Sequence, residues 1–149
     1  MLLKEMCTAE VICCAPQTTA LEAAQLMRHK HVGDLVVVDD PDDERLPLGV
    51  VTDRDLVVEV LANGLDPSKT NLASLIHAPV VIANESEDTS QVIERMRSHG
   101  VRRIPVVDDR GAVVGIVTLN DLLHVVVSDA QALLDITVKG QKHEQHSRR

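Results

Sequence analysis

The chain repeats itself. The stretch Gly49-Val50-Val51-Thr52-Asp53-Arg54-Asp55-Leu56 recurs sixty-six positions later as Gly115-Ile116-Val117-Thr118-Leu119-Asn120-Asp121-Leu122. In each copy a short β-branched run ends at a Thr, and an Asp follows three residues on as an amphipathic segment begins: strand, turn, helix. A hydroxyl and a carboxylate therefore stand at a strand-to-helix corner twice. Upstream the correspondence runs at an offset of sixty-nine, with Met27-Arg28 falling on Met96-Arg97, Val32 on Val101, and Val37-Val38-Asp39-Asp40 on Val106-Val107-Asp108-Asp109. A tip three residues longer between Asp40 and Gly49 accounts for the change of offset. Each half, roughly 60 residues, would bury too little surface alone, so the halves are expected to share one core.

Read in order, Val11-Ile12-Cys13-Cys14 is a brief strand, and Ala20, Ala23, Ala24 and Met27 line one face of a helix. Leu35 to Val38 is a buried strand, Asp39 to Glu44 an acidic turn, Leu48 to Thr52 a strand, and Asp53 to about Ala62 a helix followed by a linker. The second half replays this: strand Val80-Val81-Ile82, helix Asp88 to Ser98, strand Ile104 to Val107, strand Val113 to Thr118, and a helix from Leu119. The expected organisation is an α/β (α+β) fold of two β-α-β-β-α repeats, residues 1–66 and 67–138. The segment 139–149 has no apolar residue and is expected to be disordered.

Composition narrows the function. Hydrophobic residues make up 44% of the chain, yet Phe, Tyr and Trp are absent, so the core is aliphatic and a planar ligand must be held between aliphatic side chains. The formal charge of −8 argues against non-specific nucleic-acid binding and anionic membranes. No signal peptide or apolar run long enough to span a membrane occurs, and the three cysteines, Cys7, Cys13 and Cys14, suggest no disulfide framework; a cytoplasmic protein is expected. No Cys-x-x-Cys, His-Glu-x-x-His, Walker loop, Gly-x-Gly-x-x-Gly or Gly-x-Ser-x-Gly is present, so neither a native metal site nor an enzyme is expected.

Taken together with Gly-Val-Arg-Arg-Ile-Pro-Val-Val-Asp-Asp (Gly100 to Asp109), the repeated pattern over about residues 3 to 128 resembles a tandem pair of CBS (cystathionine-β-synthase) domains. The resemblance implies one pseudo-two-fold, disc-like (Bateman) module whose clefts bind adenosine-containing ligands such as AMP, ADP, ATP, NAD or S-adenosylmethionine. In the family's motif the Asp holds the ribose hydroxyls and the Ser or Thr approaches the phosphate. Those roles would fall to Asp55 and Thr52 in one cleft, and to Asp121 and Thr118 in the other. Each cleft is crossed in the family, so Thr52, Arg54 and Asp55 would face Val80, Val81, Ile82 and the corner Val101-Arg102-Arg103. Thr118 and Asp121 would face Val11, Ile12, Cys13 and the corner at Val32, Gly33 and Asp34.

The bland reading of the same residues is helix capping, with Thr at the N-cap and an acid three residues on. The two roles are compatible. Three arginines in the first cleft make it the expected phosphate site. Two functions are carried from the resemblance: a regulatory sensor of adenine nucleotides acting in trans on a protein target, and a ligand-free oligomerisation or interaction module. The helices after each motif are apolar over more than one stripe, at Leu56, Val57, Val58, Val60 and Leu61 and at Leu122, Leu123, Val125, Val126 and Val127, and a homodimer is expected.

Overall fold

A computed structural model describes residues 1–148. The chain forms two compact units, Met1–Val117 and the segment from Thr118 onward. The elements are β1 (Cys13–Cys14), α1 (Ala20–Lys30), β2 (Asp34–Val38), β3 (Pro47–Thr52), α2 (one turn at Asp53–Asp55 continued by a π-helical stretch, Leu56–Leu61), β4 (Ala83–Asn84), α3 (Thr89–His99), β5 (Arg103–Val107), β6 (Val113–Thr118) and α4 (Leu119–Ser147). The β-α-β-β-α order thus occurs twice, with three-stranded sheets ordered β1-β2-β3 and β4-β5-β6. In each sheet the short first strand runs parallel to the second, and β3 returns antiparallel to β2.

The repeats share a core because β2 is buried on both faces. Successive side chains of a strand point to opposite sides. Leu35 and Val37 pack with Ala23 and Met27 of α1, with Cys14 and Val51, and with Leu72. Val36 and Val38 pack instead with Val107, Val113 and Ile116 of the second sheet. The neighbouring Cys13 and Cys14 are divided the same way, one on the sheet-to-sheet face and one on the helix side. Burial pushes the Cys14 thiol up to about 11, with the Cys13 sulfur adding to the shift and a hydrogen bond from Thr18 opposing it.

The second half departs from expectation at its first strand. Val80-Val81-Ile82 lies outside the ladder, which is confined to Ala83 opposite Val106 and Asn84 opposite Val107. At Ile82, whose counterpart Cys13 pairs with Val36, the cause is Pro105. In the first repeat the Val36 N–H donates to the Ile12 carbonyl at 2.9 Å. The residues in register sixty-nine positions on are Pro105 and Val81, and a proline has no N–H to give. The first strand of the chain is likewise shorter than expected, beginning at Cys13.

Each repeat is completed by the segment that precedes the other. Residues Leu3 and Lys4 donate backbone bonds to Glu87 and Glu85, Thr8 and Ile116 exchange a pair, and the fully buried Leu3 opens a single 3-10 turn. Sixty-nine residues on, Leu72 is also fully buried and opens a 3-10 turn, donating to Thr18 while Ala20 donates to Thr70. The motif glycines make room for these segments. A Cβ on Gly49 would come within 3.0 Å of the Ile76 side chain, and one on Gly115 within 2.9 Å of both Cys7 Sγ and the Thr8 carbonyl oxygen.

The second unit is the single helix α4, which continues through Ser147. The disorder expected from Lys139 onward is therefore corrected for residues 139–147, while Arg149 lies outside the described residues. Gln, Lys and Glu are good helix formers, and an Arg148–Glu144 pair at 2.8 Å spans the last turn.

Leu3→Ala should destabilise the protein by about 2–5 kcal/mol in urea unfolding, a core-sized loss at the third residue of the chain. Gly115→Ala should cost about 1–3 kcal/mol, because one of the two obstructing atoms, the Thr8 carbonyl oxygen, is backbone and cannot rotate away.

Candidate functional site

The strand-to-helix corners are built alike. Thr52 Oγ1 accepts from the Asp55 N–H at 3.2 Å and Asp55 Oδ2 accepts from the Thr52 N–H at 2.8 Å. Thr118 and Asp121 repeat this at 3.2 and 2.8 Å at the start of α4. Both pairs are full capping boxes, so the capping role is real. It uses Oδ2 of each Asp and leaves Oδ1 outside the cap.

Asp55 borders a cavity of about 270 Å³ inside the first unit. One wall is the linker, from Leu75 to Pro79, running on into Val80 and Val81. Gly49 and Val50 of β3, Val101 and Arg103 complete it. Of the residues expected in this cleft, the structure brings Asp55, Val80, Val81, Val101 and Arg103 to one cavity; Thr52, Arg54, Ile82 and Arg102 do not line it. The consequence of Pro105 is local here. The Val81 carbonyl lacks the donor that its counterpart Ile12 has, which leaves a backbone acceptor at the cavity wall.

The expected cluster of three guanidiniums is corrected to one. Arg54 and Arg102 are exposed, whereas Arg103 lines the cavity with its Nε 2.7 Å from Asp34 Oδ2. The Arg103 Nε is buried and its N–H is not directed onto an acceptor, so the contact is a close charge pair rather than an aligned hydrogen bond. Asp34 opens β2 in one repeat and Arg103 opens β5 in the other, so the pair ties the two sheets at this end. His77, also in the lining, has its Nε2 3.8 Å from Glu59.

The residues expected in the other cleft fall in separate units. Val11, Ile12, Cys13, Gly33 and Asp34 belong to the first; Thr118 and Asp121 begin the second. Val11 and Cys13 pack at the sheet-to-sheet core, and the Gly33 carbonyl accepts from the Asp53 N–H at 3.0 Å. Sequence reasoning placed no guanidinium near these residues, yet Arg45 Nη2 donates to Cys13 Sγ at 2.9 Å. Arg45 was hidden at the end of an acidic turn; its φ of 55° turns the tip back so that its carbonyl meets the Val113 N–H. His77 and the linker wall were also missed, although Leu3 and Leu72 being one repeat apart would have pointed to a linker that packs.

Comparison with known proteins fits this architecture. The family model for the CBS domain matches residues 3–62 and 72–128, and the chain belongs to that family as a tandem pair. It is 36% identical over 121 residues to an uncharacterised protein of Methanopyrus kandleri, covering 81% of this chain and 60% of that protein's length. It is 34% identical over 119 residues to Hypoxic response protein 1 of Mycobacterium tuberculosis, covering 80% of each. The crystal structure of that protein, with two coordinated zinc ions, superposes with a TM-score of 0.72 at 32% identity over 83% of this chain and 98% of that one. The CBS domain pair of protein MJ0100, in complex with 5′-methylthioadenosine and S-adenosyl-L-methionine, superposes with a TM-score of 0.73 at 26% identity, over 87% and 98% of the two chains. Among the described residues no group of three His, Cys, Asp or Glu side chains is placed to hold a metal ion, and no helix is long and apolar enough to cross a membrane.

Thr52→Ala should lower stability by about 0.5–2 kcal/mol in urea unfolding, and Thr118→Ala by a similar amount, because each removes the acceptor that begins its helix.

Proposed function

We propose that this protein is a regulatory binding module for adenosine-containing small molecules, cytoplasmic, acting on a protein target in trans and performing no catalysis itself. The observation that carries the reading is the cavity that gathers Asp55, the residue proposed to read the ribose, with Val81 and with aliphatic walls at Val50, Val80 and Val101. A vicinal diol can donate to the Asp55 oxygen that the helix cap leaves unused, and an exocyclic amine can donate to the Val81 carbonyl. Without aromatic rings, the base lies between aliphatic side chains. The binding of adenosyl compounds by the MJ0100 pair supports the ligand class. AMP, ADP, ATP and NAD all share the adenosine moiety that these groups would recognise, and the second site of the module would use Asp121 and Thr118 in the same way.

Self-association belongs to the same proposal. Val57, Val58 and Leu61 of α2 are exposed, Leu61 to 74%, and so are Leu123, Val126 and Val127 of α4. An apolar groove lined by Leu21, Ala24, Val57, Leu61 and Leu65 adjoins the first set. Such helix faces are too apolar to remain in water, and a two-fold homodimer would cover them. A ligand-free interaction module is the competing reading, favoured by these same faces.

Asp55→Ala should remove adenosine binding at its cavity in calorimetric titration while costing no more stability than a lost cap increment, about 0.5–2 kcal/mol. Unchanged titration would favour the ligand-free reading. Light scattering of the parent should give a dimer at micromolar concentration, and a monodisperse monomer would remove the homodimer from the proposal.

A further inference from the structure

The charges around the Asp55 cavity select among adenosine compounds. Arg103 and Asp55 are the lining residues with permanent charge, and His77 is the third polar side chain. Arg103 is not available as a bare cation, since Asp34 Oδ2 stands 2.7 Å from its Nε, with the Asp34 side chain 23% and the Arg103 side chain 37% exposed. A pair this shielded is only partly screened by solvent, and the carboxylate offsets most of the guanidinium's field in the cavity. His77 faces Glu59 at 3.8 Å. The charges left uncompensated are therefore carboxylates: Asp55 within the cavity, and Glu59 behind a histidine. Arg54 and Arg102 are exposed and outside the lining.

A phosphate entering this cavity meets one guanidinium that already holds a carboxylate. It must either draw Arg103 away from Asp34, leaving that acid half-buried and unpaired, or bind the Nη groups with the Asp34 carboxylate held at the other edge of the same guanidinium, where that charge repels it. A nucleoside with no anionic group at its 5′ end meets neither cost, and a positively charged 5′ group is attracted by the uncompensated acids. Resting on the reading of this cavity as an adenosine site, we propose that it takes an adenosine nucleoside whose 5′ substituent is uncharged or cationic, and that Asp34 sets this preference by occupying Arg103. The phosphate specificity expected from three arginines is thereby reversed by one acid contributed from the opposite repeat.

The test is calorimetric titration of adenosine, 5′-methylthioadenosine, AMP and ATP into the full chain, the Asp34→Asn variant, the Arg103→Gln variant and the Asp55→Ala variant. To report on this cavity alone, each titration is read as the part of the signal that Asp55→Ala removes. The parent should bind 5′-methylthioadenosine more tightly than AMP, and AMP more tightly than ATP. Asp34→Asn, which keeps the shape and removes the charge, should strengthen AMP about tenfold while leaving adenosine within about twofold of the parent. Arg103→Gln should not restore AMP binding, which separates a freed guanidinium from a mere loss of negative charge. A parent that prefers AMP or ATP, with Asp34→Asn leaving the ratio of AMP to adenosine unchanged, overturns the charge inference and leaves the adenosine reading standing. A parent in which Asp55→Ala removes no signal for any of the four overturns both.

Discussion

Everything else in the larger unit depends on β2 being buried on both faces. Leu35 and Val37 seal the sheet against α1, and Val36 and Val38 seal it against the other sheet. A strand in that position cannot alternate apolar with polar residues, which is why Leu35 to Val38 reads as an unbroken aliphatic run. A one-residue slip of register would still bury apolar side chains on both sides, so the hydrophobic pattern alone does not fix the pairing. Register is held instead at the ends of the strand: Asp34 faces Arg103 across the sheets, and Asp39 caps the far turn by accepting from the N–H groups of Asp40 and Leu46.

The crossing of the preceding segments turns two marginal halves into one unit. Neither repeat has a closed core by itself, because Leu72 fills the first and Leu3 lies against the N-terminal end of α3 in the second. The symmetry extends to the glycines, since Gly49 admits Ile76 and Gly115 admits Cys7 and Thr8. The same crossing makes the cavity. The linker that completes the first repeat runs on past Gly49 into Val80 and Val81, so the wall of the site and the tie between the repeats are one piece of chain. A ligand held there would touch β3, the linker and the start of β5 together, which would give binding a mechanical route to both halves.

How much of this was legible follows from what a repeat can reveal. The element order, the aliphatic core, the capping boxes and the position of Asp55 all lie within the motif, where local pattern determines structure. The ladder broken at Pro105 was legible in principle, since a missing N–H can be read from sequence. Its effect on Val81 required knowing which residues stand in register across a parallel pair. His77 in the lining and Asp34 on Arg103 were not legible, because each joins segments brought together only by the packing of one repeat on the other, and Arg45 on Cys13 was not legible because it depends on how the hairpin tip folds back over its own sheet. Charge counting meets the same limit. Three arginines near one motif suggest a phosphate site, while the structure has two of them exposed and the third beside an acid.

Helix α4 shows the limit of composition as a guide to order. Residues 139–147 have no apolar side chain and make no buried contact, yet they continue a helix nucleated far upstream by Thr118 and Asp121. Once nucleated, each added residue costs little, so a polar run of good helix formers can extend an existing helix that it could never start. Upstream of it, Leu133, Leu134, Ile136 and Val138 stand exposed on the same helix, beyond the last residue that matches the family. Large aliphatic side chains exposed on a helix are stabilised by being covered, so it is this surface, rather than any feature of the cavity, that argues for the proposed self-association.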